Sequence, residues 1–167
     1  MMLALAVWGE SAAHIAAKHW RRGNLILAIL MAAAILYATI LTRSEGSAGL
    51  ILLPFAAFIA ARQQPELYRE MLMNVFLFFP LGLTLSNALP RKWHRWVRMI
   101  LTALIGCILS AGIEYIQYRY ALGMAEVDDV ICNTLGAFIG STSLLIAHII
   151  EKIQRKVSAH KHDPDHH

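Results

Sequence analysis

The run "NLILAILMAAAILYATIL", residues 24–41, is eighteen residues without a formal charge. No other feature constrains the fold as strongly. A helix needs about 20 mostly apolar residues to cross the ~30 Å hydrocarbon layer of a bilayer. Comparable runs recur at 71–89, "MLMNVFLFFPLGLTLSNAL", from about Met99 to Tyr120, and from about Asp128 to Ile150. The chain is 57% hydrophobic and 16% charged, against globular averages of about 45–50% and about 25%. The excess sits in these blocks. The sequence therefore predicts an all-α fold, a polytopic membrane helical bundle with four transmembrane helices. The longest polar stretch, the tail from Glu151, is too short to build a soluble core.

The remaining segments are interpreted by what they lack. Residues 1–23 mix Leu, Val, Trp and Ile with Glu10, His14 and Lys18. Their apolar part is too short to span, so they are expected to form an interfacial amphipathic helix. They also lack the basic start of a signal peptide. Residues 47–61, "SAGLILLPFAAFIAA", are short and broken by Pro54, which predicts a re-entrant or interfacial segment. The transmembrane domain then covers 24–150. Residues 151–167 form a basic, His-rich tail, expected to be solvated and cytoplasmic. Cys107 and Cys132 lie in apolar sequence without metal-ligand spacing and are expected to be small core residues.

Charge sets orientation. Basic residues cluster before the first span (Lys18, Arg21, Arg22), in the 90–98 connector (Arg91, Lys92, Arg95, Arg98) and in the tail (Lys152, Arg155, Lys156, Lys161). Lys and Arg accumulate on the cytoplasmic side of membrane proteins. These three segments, and both termini, are thus expected in the cytoplasm. The net charge of +4 is a topology signal, and no nucleic-acid partner is implied. An even number of crossings must separate the first two clusters, which the 24–41 and 71–89 spans supply. Residues 47–61 must then enter and leave on the outer side.

In this topology a set of polar residues falls at one depth. Glu114 and Gln117 lie in the last turns of the third span, while Asp128, Asp129 and Asn133 lie in the first turns of the fourth. Asn74 opens the second. Ser110, Glu114 and Gln117 step by four and three, which aligns them on one helix face. Asp129, Asn133, Gly136 and Gly140 step by four, three and four, forming a second stripe. Gly136 and Gly140 make a small-xxx-small pattern that permits close helix approach. Their expected neighbour is the third span, through Gly106 and Ser110. Pro80 and Gly82 in the second span are also read as architectural. The six polar residues are then expected to line one outward-facing pocket.

A carboxylate inside a membrane is costly, about 2.5–3.5 kcal/mol on insertion scales, and usually faces a bundle interior or aqueous cavity. Several chemistries stay open. Asp128 or Asp129 can cap a helix start. Carboxylates with amides can share a proton as acid and base, or bind a polar headgroup. No metal site or cofactor is assigned, although Glu114 and Asp129 could hold a divalent cation. There is no Ser-His-Asp set at one depth and no phosphate-cradling glycine loop, so no catalytic residue is assignable.

Three blocks carry a family likeness: "NVFLFFPLG" (74–82), "SAGIEYIQ" (110–117) and "VDDVICNTLGAFIG" (127–140). They resemble the signature blocks of the VanZ-like family, and "LILLPF" (50–55) resembles a further short block. The likeness covers about residues 25–150. Many members place an Arg shortly before the acidic run, where this chain has "ALGMAE". Whether Arg119 substitutes stays open. The resemblance implies a multi-pass protein of the bacterial cytoplasmic membrane. It also implies an association with low-level resistance to teicoplanin, a lipoglycopeptide. The functional expectation is binding of a membrane lipid headgroup, a lipid-linked wall precursor or the lipoglycopeptide itself. The alternatives are a membrane enzyme acting on such a headgroup through Glu114 and Asp129, and a small ion-coupled transporter.

Overall fold

A computed structural model describes residues 2–43, 46, 49–146, 149, 152 and 153, with side chains from Lys18 onward. Residues 154–167, and with them the terminal histidines, lie outside the described residues. The helix α1 runs Met2–Leu36 and passes into a π-helical turn, Tyr37–Leu41. The segment expected to be a separate amphipathic helix is thus continuous with the first span. Next come β1 (Gly49–Ile51), the one-turn α2 (Ala56–Ala60), α3 (Glu66–Ala88), α4 (Arg95–Arg119), β2 (Met124–Glu126) and α5 (Val127–Ser141). Helical segments Lys18–Leu41, Glu66–Ala88, Arg95–Arg119 and Val127–Ile146 are long and apolar enough to cross a membrane.

The strands were not foreseen. β1 and β2 pair in parallel, with Gly49 opposite Met124 and Ile51 opposite Glu126. They are three residues each, too short for a pattern of period two to register in sequence. Their pairing satisfies backbone groups that an irregular connection would leave without partners. It also ties residues 49–51 to the α4–α5 connection. The chain between α1 and α3 therefore starts and finishes at one end of the bundle.

Packing follows from small residues. On α1 the buried face is Ala28 and Ile35, seven residues apart, with Met31 and Ala32 beside them and Ile40 following in the π-helical turn. Leu25, Ile26, Ile29 and Leu30 are exposed, as residues meeting acyl chains should be. The core joins this face to Phe78, Leu81, Ile113 and Ala137. Pro80 is accommodated within a continuous α3, where Thr84 Oγ1 donates to the Pro80 carbonyl at 2.8 Å.

One packing expectation needs correction. Gly136 and Gly140 do not face the third span. A Cβ on Gly136 would strike the Val75 carbonyl oxygen, and one on Gly140 the Phe79 carbonyl oxygen, both on α3. Gly82 of α3 reciprocates, since its Cβ would strike the Ala137 backbone. The face of α5 that meets α4 is set by Asn133 and Ala137 instead. Ala137 Cβ would be 2.7 Å from a Cβ on Gly106. Gly136 is one residue from Ala137 and so lies about 100° round the helix. α5 thus packs against both neighbours, backbone to backbone with α3 and side chain to side chain with α4.

At the other end, Arg98 fastens α4 to α3. Its Nε and Nη2 donate to the Ser86 carbonyl at 3.1 and 2.6 Å. Ser86 lies in the last turn of α3, where carbonyls have no partner within the helix. The buried guanidinium is a cap supplied by a neighbouring element.

Candidate functional site

Where α3 and α5 begin and α4 finishes, the bundle opens into a recess of about 570 Å³. Glu66, Arg69, Glu70, Met73 and Asn74 line it from the first turns of α3. Met124 and Glu126 come from β2, Asp129 from the first turn of α5, and Arg43 from just beyond the π-helical turn. Glu66, Glu70 and Asn74 step by four, so α3 presents them on one face.

Two contacts set the geometry. Asn74 Nδ2 donates to Asp129 Oδ1 at 2.6 Å, which joins α3 to α5 and orients the carboxylate. Arg43 lies against Gly123, whose φ of +143° is a backbone conformation that side chains rarely permit. A Cβ there would sit 2.7 Å from Arg43 Nη1, so Gly123 also leaves room for the guanidinium.

The other four expected pocket residues do not line the recess. Glu114 is 8% exposed, and its Oε2 accepts from the Glu126 N–H at 3.0 Å. It pins the end of β2 to α4. Gln117 Nε2 donates to the Thr39 carbonyl in the π-helical turn at 2.9 Å. Asn133 Nδ2 donates to Ser110 Oγ at 2.8 Å, deeper between α4 and α5. Gln117 Oε1 and Asn133 Oδ1 are buried and accept no hydrogen bond among the described residues.

Asp128 turns away altogether. Its Oδ1 accepts from the Phe55 N–H at 2.6 Å and its Oδ2 from the Ala57 N–H at 2.7 Å. Phe55 has φ +64° and no capping side chain of its own. Asp128 therefore caps α2 from across the fold, whereas an aspartate at a helix start was expected to cap its own helix. This ion–dipole contact orders the short segment after β1.

The stripe Ser110, Glu114, Gln117 is buried along its length, in keeping with its spacing. The second stripe divides. Asp129 engages α3 while Asn133 engages α4. Sequence reasoning missed Arg43, Glu66, Arg69, Glu70, Met73, Met124 and Glu126. The four-residue repeat Glu66–Glu70–Asn74 was available as a signal. The position of Arg43 was not, because it depends on the turn at Gly123. Arg119 points elsewhere, its guanidinium carbon 5.9 Å from the Tyr120 ring centroid. Arg43 and Arg69 are the cations that share the recess with Glu126 and Asp129.

Electrostatically the recess is crowded with negative charge. The Glu126 carboxyl is pushed above the usual carboxylate range, first by partial burial and then by Asp128 and Glu70. Among the described residues no three or more His, Cys, Asp or Glu side chains are grouped to hold a metal ion. The carboxylates are instead distributed around the walls. Such an arrangement can make several simultaneous polar contacts to a ligand of some size.

The residues that build this site fall within a region with known relatives. Over 73 residues the chain is 34% identical to "Protein VanZ" of Enterococcus faecium, a match covering 44% of this chain and 42% of that protein. The match thus spans less than half of the relative's length. No solved structure matches the chain. The VanZ/LLP1 family pattern matches residues 24–150, which include both glycine-packed helices and all the carboxylates of the recess. With a match over most of its length, the chain belongs to the VanZ/LLP1 family.

Proposed function

We propose that this protein binds the polar headgroup of an envelope amphiphile in the recess, at the outer face of the bacterial cytoplasmic membrane. The amphiphile is a membrane lipid, a lipid-linked wall precursor or a lipoglycopeptide. By occupying it, the protein lowers access of a drug such as teicoplanin to its target. The observation that carries this reading is a charged recess of about 570 Å³ at the end of a bundle whose flanks are apolar. A headgroup would enter the recess while its chains lie along the exposed faces of α3 and α5, which carry Leu72, Phe76, Ile131 and Leu135. The outer location rests on the basic clusters at 18–22 and 90–98, which flank the opposite ends of the helices.

The test has two parts. Purified protein would be examined by native mass spectrometry for a retained amphiphile, beside Asp129→Asn and Arg43→Gln. Cells expressing the same variants would be scored for teicoplanin susceptibility and for binding of fluorescent teicoplanin at the surface. The reading expects a retained amphiphile that both folded variants lose, with protection lost in parallel. Equal retention in all three proteins would refute a site in the recess. Conversion of a labelled envelope lipid by purified protein would replace binding with turnover. The Asn74–Asp129 contact, which orients a carboxylate in the lining of the recess, is what keeps that second reading in view.

A further inference from the structure

We infer that the recess selects headgroups bearing a primary ammonium group, held by carboxylates on one side while an arginine takes the headgroup phosphate. The inference rests on the headgroup reading above and specifies its ligand. It starts from charge. Four carboxylates line the recess, Glu66, Glu70, Glu126 and Asp129, against two guanidiniums, Arg43 and Arg69. An anionic headgroup without a cation would add to that excess and would be repelled.

Two features of the walls point the same way. Glu66 and Glu70 are four residues apart on α3, the spacing at which like charges face each other and weaken a helix. Glu126 stands near Glu70 and Asp128, and their charges resist its ionisation. A cation seated among them would relieve both conflicts. Among the described residues no three of these carboxylates are gathered as metal ligands. An ammonium group needs only separate hydrogen-bond acceptors spread around it.

The arginine supplies the other half. Arg43 reaches in from the end of the first span and is seated by Gly123. Guanidinium donors match phosphate oxygens in pairs. A phosphate at Arg43 with an ammonium toward Glu70 and Glu126 makes the recess complementary to a zwitterion. A phosphoethanolamine-type headgroup has this chemistry, as does any lipid phosphate carrying an amine a few bonds away.

The experiment uses the full chain in detergent and three short-chain probes. They are dioctanoyl phosphatidylethanolamine, its N-acetylated derivative, and dioctanoyl phosphatidylglycerol. Binding is read by native mass spectrometry titration. The amine-bearing probe is expected to bind at least about tenfold tighter than the N-acetylated one, which keeps the phosphate and loses the charge. The combined substitution Glu70→Gln and Glu126→Gln should erase that preference. Arg43→Gln should weaken every probe while leaving the order unchanged. All these side chains are exposed or half-buried, and circular dichroism checks that each variant folds. Equal binding of the three probes to wild type, with loss in Arg43→Gln, would overturn the ammonium preference and leave the headgroup reading standing. Binding of none of the probes, or binding that none of the substitutions alters, would overturn both.

Discussion

The α3–α5 seam and the recess above it are built from the same two helices by opposite means. At the seam, Gly82, Gly136 and Gly140 have no side chains, and backbone meets backbone. At the recess, Glu66, Arg69, Glu70, Asn74 and Asp129 have long or polar side chains, and the helices are joined by one hydrogen bond. Lipid gives helices little hydrophobic reason to associate, so close packing must hold them. Where packing is complete there is no room for a ligand. Where it is relaxed, the chain has filled the gap with charge. The seam is therefore where substitutions should cost stability, and the recess is where they should cost binding.

The largest break in that contrast would come from the seam. Gly136→Ala or Gly140→Ala places a Cβ into an α3 carbonyl, which a flexible side chain could yield to but a backbone cannot. Overpacking costs about 1–3 kcal/mol, and more where nothing relaxes. Either variant should lower the thermal unfolding midpoint in detergent sharply or fail to fold. Gly112→Ala, with nothing within 4 Å of the added Cβ, should be near neutral. If Gly112→Ala and Gly136→Ala behaved alike, the seam would not be what holds the helices.

Next in size is Asp128, which belongs to neither region. Asp128→Ala frees the Phe55 and Ala57 N–H groups, and hydrogen bonds to charged groups contribute about 1.5–3 kcal/mol each. The loss should be local. Proteolysis or amide exchange should speed up across 49–61 while α3 and α5 remain protected. Uniform loss of protection would show that the α2 segment is part of the main cooperative unit.

A smaller effect is expected at Asn133. Asn133→Leu removes one interhelical bond to Ser110, and such bonds average about 0.6 kcal/mol in membranes. It also removes a buried acceptor that has no partner among the described residues, which offsets part of the loss. Unfolding should shift only slightly and headgroup retention should not change. A large loss of retention would extend the functional site from the recess into the α4–α5 contact.

The smallest shift concerns pH. The folded Glu126 pKa is raised, so between its unfolded and folded values the native state holds more protons than the unfolded chain. The contribution is favourable at low pH and is lost as pH rises through that window. Glu126→Gln should remove this dependence and slightly stabilise the empty protein at neutral pH. Ligand retention should run the other way, weakening as Glu126 takes up a proton. Glu66, Glu70, Glu114, Asp128, Asp129, Arg43 and Arg69 share its surroundings. A pH profile of retention that is unchanged in Glu126→Gln would show that Glu126 does not govern it.

Much of the bundle was legible beforehand because lipid imposes simple rules. A spanning helix must be long and apolar, and Lys18–Leu41, Glu66–Ala88, Arg95–Arg119 and Val127–Ile146 announce themselves in hydropathy. Helical spacing alone put Ser110, Glu114 and Gln117 on one face, and that face is buried. Several residues of the site were harder to place. Asp128 and Asp129 are adjacent in sequence, yet one caps α2 and the other meets Asn74. Their side chains leave the helix about 100° apart, and only the neighbours present at each angle decide their roles.

Sequence alone determined that the chain spans a membrane, how many long apolar helices it has, and that Glu114, Asp128 and Asp129 lie near one end. These are local properties, set by hydropathy and period. Only the tertiary structure decided which helix the glycines meet, which aspartate faces the recess, and that Arg43 reaches it. Those outcomes depend on contacts between residues up to about eighty positions apart, such as Gly123 with Arg43 or Phe55 with Asp128. No single segment encodes such contacts, because the partner lies on another part of the chain.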